Sequence, residues 1–394
     1  MSEDSPRWQG VQIYYYEENK DDLLLECVRP LFAELAPHAE RLVVTRHWLR
    51  GPHLRLGVRA SDRVFREVIR PAVERAVSRH LAAFPSTARI DERELLAVHK
   101  VLAPQEQEWG PLSPFHPDNS LRWDPYDRRI PVLGSEAAAE LLEDFYHETN
   151  DLAFGALAHV RGGGGRMALA FDFMVATAHA MWPGIDRGFI SYRSHAEGFI
   201  VRAPDPGTRR ASCDDRYRAQ APALRERLVT VLDGLDGRGE PVPFVADWLA
   251  VLRRYREVAE RLIASGELSF AAAERTGPAG AAAERIGAAG AAAGAAAGGG
   301  AEPGEERDGW DPEMLRHSDF HRRLQGPGGA MESLQRDPDF LAFRFALNYL
   351  YLHLNRIGVR PVERFLLCHL VANTVEDHYG ISAEDFVASG PRRP

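Results

Sequence analysis

Three stretches of the chain gather side chains able to move protons or grip an oxygen. The first runs Arg46, His47, Trp48, Leu49, Arg50, Gly51, Pro52, His53, Leu54, Arg55, Leu56, Gly57, Val58, Arg59. Strand alternation puts His53, Arg55 and Arg59 on one face and Leu54, Leu56 and Val58 on the other. The apolar set faces a core. The polar set faces a cleft or solvent. A row of two guanidiniums and an imidazole suits a carboxylate, a phosphate or a peptide carbonyl. The alternative is a solvated basic strand face paired with acidic neighbours.

The second stretch is GFISYRSHAEGF, residues 188–199, with Tyr192, Arg193, Ser194, His195 and Glu197 close together. Read as a strand, Tyr192 and Ser194 share one face, and Arg193, His195 and Glu197 share the other. Ser194 and His195 then diverge and do not form a nucleophile–base pair. His195 with Glu197 would make an oriented acid–base group. A turn with satisfied polar contacts is the alternative. The third stretch is FLAFRFALNYLYLHLNR, residues 340–356. Phe343, Leu347, Leu350 and Leu354 form an apolar helical stripe. Arg344, Asn348, Tyr351 and Asn355 form a second stripe, where a surface helix would favour Lys and Glu. That row is either a polar pocket wall or a buried hydrogen-bond network. Arg364, Cys368, His369 and His378 follow on the next helix. Cys368 and His369 are neighbours there and do not converge on one metal ion.

Several chemistries find no support. The chain has no HExxH, no GxSxG and no GxGxxG after a strand. Gly162–Gly165 lacks the lysine of a phosphate loop, and no strand precedes it. The three cysteines (Cys27, Cys213, Cys368) are scattered, which argues against a disulfide framework or zinc cluster. A formal charge of −9 disfavours a bulk nucleic-acid binder. No run of eighteen apolar residues is present, and the N-terminus lacks a signal-peptide core, so a cytoplasmic protein without a membrane span is expected.

The elements that must position these residues follow from periodicity. The 394 residues allow two to three folding units or one large one. A strand at 8–17 precedes a helix at 20–37, kinked at Pro30. A hairpin of strands 41–48 and 53–59 follows, then a helix from 62 to 80. Residues 104–133 read as irregular loop. Helices are expected at 135–158, 166–181, 215–235, 243–266, 338–356 and 360–378. This is an α+β pattern. A ten-residue repeat decaying into Ala and Gly over 271–300 has almost nothing to bury. It divides the chain into a catalytic body (1–270), a linker or insertion (271–309) and a helical C-terminal segment (310–394) expected to pack on the body.

WQGVQIYYYEENKDDLLLECVRPLF with RHWLRGPHLRLGVR resembles the C-terminal, elimination-like domain of lantibiotic dehydratases, which also occurs as a free-standing protein in thiopeptide clusters. FALNYLYLHLNRIGVRPVERFLLCHLVANTVEDHYG is similar to its helical end, and SYRSHAEGF to its middle. The resemblance implies a ferredoxin-like strand–helix–hairpin–helix start with a largely helical remainder. It also implies one of two activities. One is elimination of glutamate from glutamylated Ser or Thr. The other is pyridine synthesis from two dehydroalanines, with loss of water and expulsion of a leader peptide. Elimination members usually carry a segment similar to RYGG, and here Pro131–Ser135 stands in its place, which favours the pyridine synthase. A non-catalytic leader-binding scaffold is the third reading. Under the favoured reading Tyr192, His195, Glu197 and Tyr351 are the proton-transfer candidates. Arg46, His53, Arg55, Arg193, Ser194, Arg344 and Asn348 are the candidates for binding substrate. No metal and no organic cofactor is expected. The implied partner is a modified precursor peptide, with other maturation enzymes or a second copy of the chain as further partners.

Overall fold

A computed structural model describes residues 5–106, 108–268, 318–325 and 331–389. Strands β1 (Arg7–Tyr14), β2 (Arg41–His47), β3 (His53–Ala60) and β4 (Ser120–Asp124) form one antiparallel sheet in the order β2-β3-β1-β4. With helices between β1 and β2 and between β3 and β4, this is the ferredoxin-like arrangement. The first crossover is a π-helical turn, Leu23–Val28, continuing into α1 (Arg29–Leu35). Pro30, where a kink is expected, follows this π-helical turn and sits in the first turn of α1, where its missing N–H costs nothing. The second crossover holds α2 (Asp62–Val64), a π-turn (Phe65–Ile69), α3 (Arg70–Ala83) and α4 (Glu92–Glu106).

Cross-strand partners share a face of the sheet. Val11 lies opposite Leu56, Ile13 opposite Leu54 and Leu42 opposite Val58, and all six are buried. This face packs on the helices. The opposite face carries the pairs Tyr14–His53, Gln12–Arg55 and Gly10–Gly57. A Cβ on Gly57 would meet the Tyr126 ring at 2.5 Å, so glycine is what lets residues 124–129 lie across this face. Tyr126 also stacks on Trp8 at 4.5 Å. Residues 104–133, read as loop, thus contain β4, the end of α4 and α5 (Ile130–Leu133).

The remainder is helical. α6 (Glu136–Glu148) and α7 (Asn150–Arg161) break at Thr149, whose hydroxyl donates to the Phe145 carbonyl at 2.5 Å. Then come α8 (Arg166–Met181), α9 (Ile185–Val201), α10 (Pro206–Leu235) and α11 (Val245–Ser265). The Ala/Gly segment expected over 271–309 lies outside the described residues. After it come α12 (Asp319–Gln325), α13 (Met331–Gln335), α14 (Pro338–Arg356), α15 (Pro361–Tyr379) and α16 (Ala383–Ser389). α14 packs on α8 and α11, and α15 on α9 and α10. The apolar stripe Phe343, Leu347, Leu350 and Leu354 is fully buried. No described helix is long and apolar enough to cross a membrane.

Sheet and helices meet at Arg356. Its buried guanidinium donates to the Val44 carbonyl (3.2 Å), Thr149 Oγ1 (2.6 Å) and Asn150 Oδ1 (2.5 Å). It also lies 5.3 Å over the Tyr146 ring. Replacing Arg356 by Met strands three buried acceptors. It is expected to lower the unfolding free energy by about 2–4 kcal/mol. A urea midpoint unchanged from wild type would show that the pin is dispensable.

Candidate active site

Residues 188–199 are not a strand. They lie in the middle of α9, and the faces change accordingly. Successive residues now turn by about 100°, so residues three or four apart share a face. The strand reading failed because α9 has buried residues nearly all round and carries Ile, Phe, Tyr and Gly, all weak helix formers. Gly188 is required by packing: a Cβ there would come within 2.6 Å of the Ala178 carbonyl of α8. Four residues on, Tyr192 is fully buried, and its hydroxyl donates to the Met174 carbonyl of α8 at 2.7 Å. Burial drives its pKa well up. Tyr192, expected as a proton-transfer group, is instead a satisfied core tyrosine.

His195 turns the other way, toward α14. Its Nδ1 lies 2.7 Å from the Tyr351 hydroxyl, a hydrogen bond in which either group can hold the proton. The Tyr351 oxygen is also 3.5 Å from Cys368 Sγ of α15. Burial above all, with neighbouring Cys368 and Tyr192, drives the Tyr351 pKa well up. Burial also pushes the Cys368 thiol up to about 12. His195 is half-buried, the most accessible member of this group of thiol, phenol and imidazole. Arg344 and Asn348, also half-buried, lie on the same stripe of α14 as Tyr351, two turns and one turn before it. Tyr351 is buried in hydrogen bonds, as the network reading of that stripe expects, while Arg344 and Asn348 are partly exposed.

Glu197 does not orient His195. Two residues apart on a helix, they point away from each other. Glu197 accepts a bidentate pair from Arg210 of α10 at 2.8 and 2.6 Å. Its burial would raise its pKa, but the Arg210 hydrogen bonds and the charges of Arg210, Arg193 and His321 outweigh that and lower it. Arg193 donates to Asn373 Oδ1 at 2.7 Å and pairs with Glu376. Ser194 Oγ lies 3.0 Å from His321 Nε2 on α12, and Ser318 Oγ is 3.5 Å from Glu197. Arg193, Ser194 and Glu197 are therefore joints between α9 and its neighbours.

The hairpin set also divides. Arg46 stands opposite Leu54, on the helix-facing side of the sheet. It donates to Asp21 (3.1 Å) and to the Arg356 carbonyl (3.2 Å). Asp21 is shared with Arg166 at 2.5 Å. His53 and Arg55 occupy the other face, which the crossing segment covers instead of leaving a cleft. His53 is fully buried, with Nδ1 2.8 Å from the Gly51 carbonyl. Arg55 lies 3.7 Å from Glu108, which also meets His47 (3.1 Å) and Arg129. Glu106 accepts from the Trp48 indole at 2.7 Å. The sequence reading missed Asp21, Glu106, Glu108, Arg129 and Arg166, because only the tertiary fold brings them to the hairpin. Ligand atoms of His47, Glu106 and Glu108 all lie within 4.8 Å of one another. Glu108 already has the Arg55 and Arg129 guanidiniums for counter-charge.

The two glutamates are pushed apart. Burial raises Glu106 to about 8, and its Oε1 is buried without a partner, as suits a neutral acid. Glu108 is held down to about 2: burial opposes this, but the His47 bond and the charges of His47, Arg55 and Arg129 overcome it. A raised folded pKa stabilises below the unfolded value, near 4.5, and the benefit is lost as pH rises through the folded one. Between about pH 4.5 and 8, Glu106 therefore erodes stability. Glu106→Gln is expected to flatten that fall and to unfold later than wild type at pH 8 in a pH series of urea melts. Parallel curves for the two proteins would show that Glu106 is not protonated in the fold.

Comparison with solved structures finds the pyridine synthase TbtD from thiomuracin biosynthesis. It is 32% identical and covers 95% of this chain and 100% of that chain at a TM-score of 0.72. TsrL, at 24% identity, covers 99% and 100% at 0.69 and supports the shared fold alone. Comparison with curated proteins finds no match. A family model described as lantibiotic biosynthesis dehydratase C-term matches residues 8–375, nearly the whole chain. The chain belongs to the lantibiotic dehydratase C-terminal domain family.

Proposed function

We propose that this chain is a thiopeptide pyridine synthase. It joins two dehydroalanines of a modified precursor peptide by a formal aza-cycloaddition, with loss of water and expulsion of the leader. The observation that carries this reading is the full-length likeness, at 32% identity, to a pyridine synthase. The sequence at 131–135, which departs from the elimination members, agrees with it.

The chemistry asks for modest things of the protein. One backbone amide must pass to its imidic form, its N–H proton moving to its oxygen, so that an aza-diene exists. The second dehydroalanine must be held against that diene, a positioning problem worth several orders of magnitude in rate. Water and the leader carboxamide then leave, and the ring becomes aromatic. Every step is redox-neutral. The tautomerisation and the two eliminations each need a proton taken from one atom and given to another, which a hydrogen-bonded imidazole and phenol can do. His195 and Tyr351, 2.7 Å apart, are the proposed relay. Half-buried Asn348 and Arg344 on the Tyr351 stripe are the proposed holders of peptide carbonyls. Arg46, His53, Arg55, Arg193, Ser194, Tyr192 and Glu197 serve the scaffold.

Mass spectrometry of a dehydroalanine-bearing, azole-containing precursor peptide incubated with the purified protein tests the reading. The expected products are a leader fragment ending in a carboxamide and a core lighter by one further water. Glutamate loss from a glutamylated peptide, without ring formation, would move the chain to the elimination class. His195→Ala and Tyr351→Phe should each cut turnover by roughly 10²–10⁴-fold. Tyr192→Phe should leave turnover within about threefold of wild type while costing about 1 kcal/mol of stability. Full turnover in both His195→Ala and Tyr351→Phe would refute the relay.

A further inference from the structure

Arg364 of α15 is only 3% exposed. Among the described residues it has no carboxylate in ion-pair range, and its Nε is buried without a hydrogen-bond partner. Its guanidinium carbon lies 4.6 Å over the Tyr351 ring and 5.1 Å over the Phe365 ring. Arg356, equally buried, shows the ordinary solution, with three oxygens around its guanidinium. Arg364 has two aromatic faces instead. A buried cation without a counter-ion is costly, and an apolar side chain of like volume would fill the place more cheaply. Such a cost is borne where the fold must hold an anion that is absent at rest.

The groups facing Tyr351 are His195 and Tyr192 from α9 and Cys368 and Arg364 from α15. Of these four, Arg364 alone carries a permanent charge. We propose that Arg364 is a positioning residue that acts through Tyr351, holding the negative charge formed when the phenol gives its proton to His195. In that step the Tyr351 O–H bond breaks and an N–H bond forms at His195 Nδ1. The electron pair stays on the phenol oxygen, and the imidazolium is the acid for the next proton transfer. The phenolate recovers its proton when the imidazole is restored. The catalytic role in this proposal rests on the reading of His195 and Tyr351 as the relay; the electrostatic link between Arg364 and Tyr351 does not.

The test has a substrate-free arm and a turnover arm. Fluorotyrosine placed at position 351 reports ionisation of that phenol alone by ¹⁹F NMR. A cation within ~4–6 Å of an acid lowers its pKa by 1–3 units. The ionisation midpoint in Arg364→Met is therefore expected at least about one pH unit above that in the parent and in Arg364→Lys. With the natural tyrosine, Arg364→Met should lose turnover by at least about 100-fold, with KM for the peptide within about threefold. Its melting temperature should match or exceed wild type, since a buried charge has been removed. Arg364→Lys should recover at least about tenfold of the turnover. A more acidic phenol, 3,5-difluorotyrosine at 351, should partly rescue Arg364→Met, which a packing role would not allow. Should the Met variant not fold, Arg364→Gln makes the same comparison. Equal midpoints, or Arg364→Met turning over within threefold of wild type, would overturn the proposal. If wild type forms no pyridine, the functional reading fails on that result alone, while the NMR titration still decides the link between Arg364 and Tyr351.

Discussion

The outer edge of β2 must be satisfied, and the way it is satisfied fixes the helical layer. An edge strand presents N–H and C=O groups with no neighbouring strand to take them. Here the Leu42 N–H donates to His147 Nδ1 of α6, its carbonyl accepts from Asn150 of α7, and the Val44 carbonyl accepts from Arg356 of α14. Two consecutive helices and a third from much later in the chain are thereby docked on one strand. Arg356 sits five residues after Tyr351 on α14. The helix that closes the sheet is therefore the helix that carries the phenol of the candidate site, and the geometry of one constrains the other.

α15 carries polar residues with two different fates. At its later turns Asn373 and Glu376 meet Arg193, and every charge finds a partner. At its earlier turns Arg364 and Cys368 flank Tyr351 with no carboxylate among them. The first pattern resembles the network of Glu197, Arg210 and Ser318 and welds α9, α10, α12 and α15 together. The second leaves charge unbalanced beside the half-buried His195.

Much of this was legible in the residues. Hairpin, long helices and apolar stripes are local patterns, and β2, β3, α8, α11, α14 and α15 fall where periodicity puts them. The stripe through Tyr351 was visible because Arg, Asn and Tyr are unusual on a solvated helix face. Three features were not legible for physical reasons. β4 is five residues long, holds Arg, Trp and Asp, and exists because β1 offers it an edge. α9 hides its period because it is buried nearly all round. The pairing of Glu108 with Arg129, or of Asp21 with Arg46 and Arg166, spans sequence separations that no local pattern encodes. His195 takes its partner, Tyr351, from α14 and not Glu197 from its own helix, a pairing no local pattern encodes.

The three cysteines carry a last consequence. All are buried, and burial pushes Cys27 to about 11 and Cys368 to about 12 and raises Cys213 as well. Sulfur adds to electron-poor alkenes as the thiolate, not as the thiol. A dehydroalanine is such an alkene. An enzyme that holds two of them in place must not be alkylated by its own substrate, and Cys368 stands one hydrogen bond from the phenol of the proposed relay. Kept as a thiol, it can share a proton with Tyr351 without becoming a nucleophile.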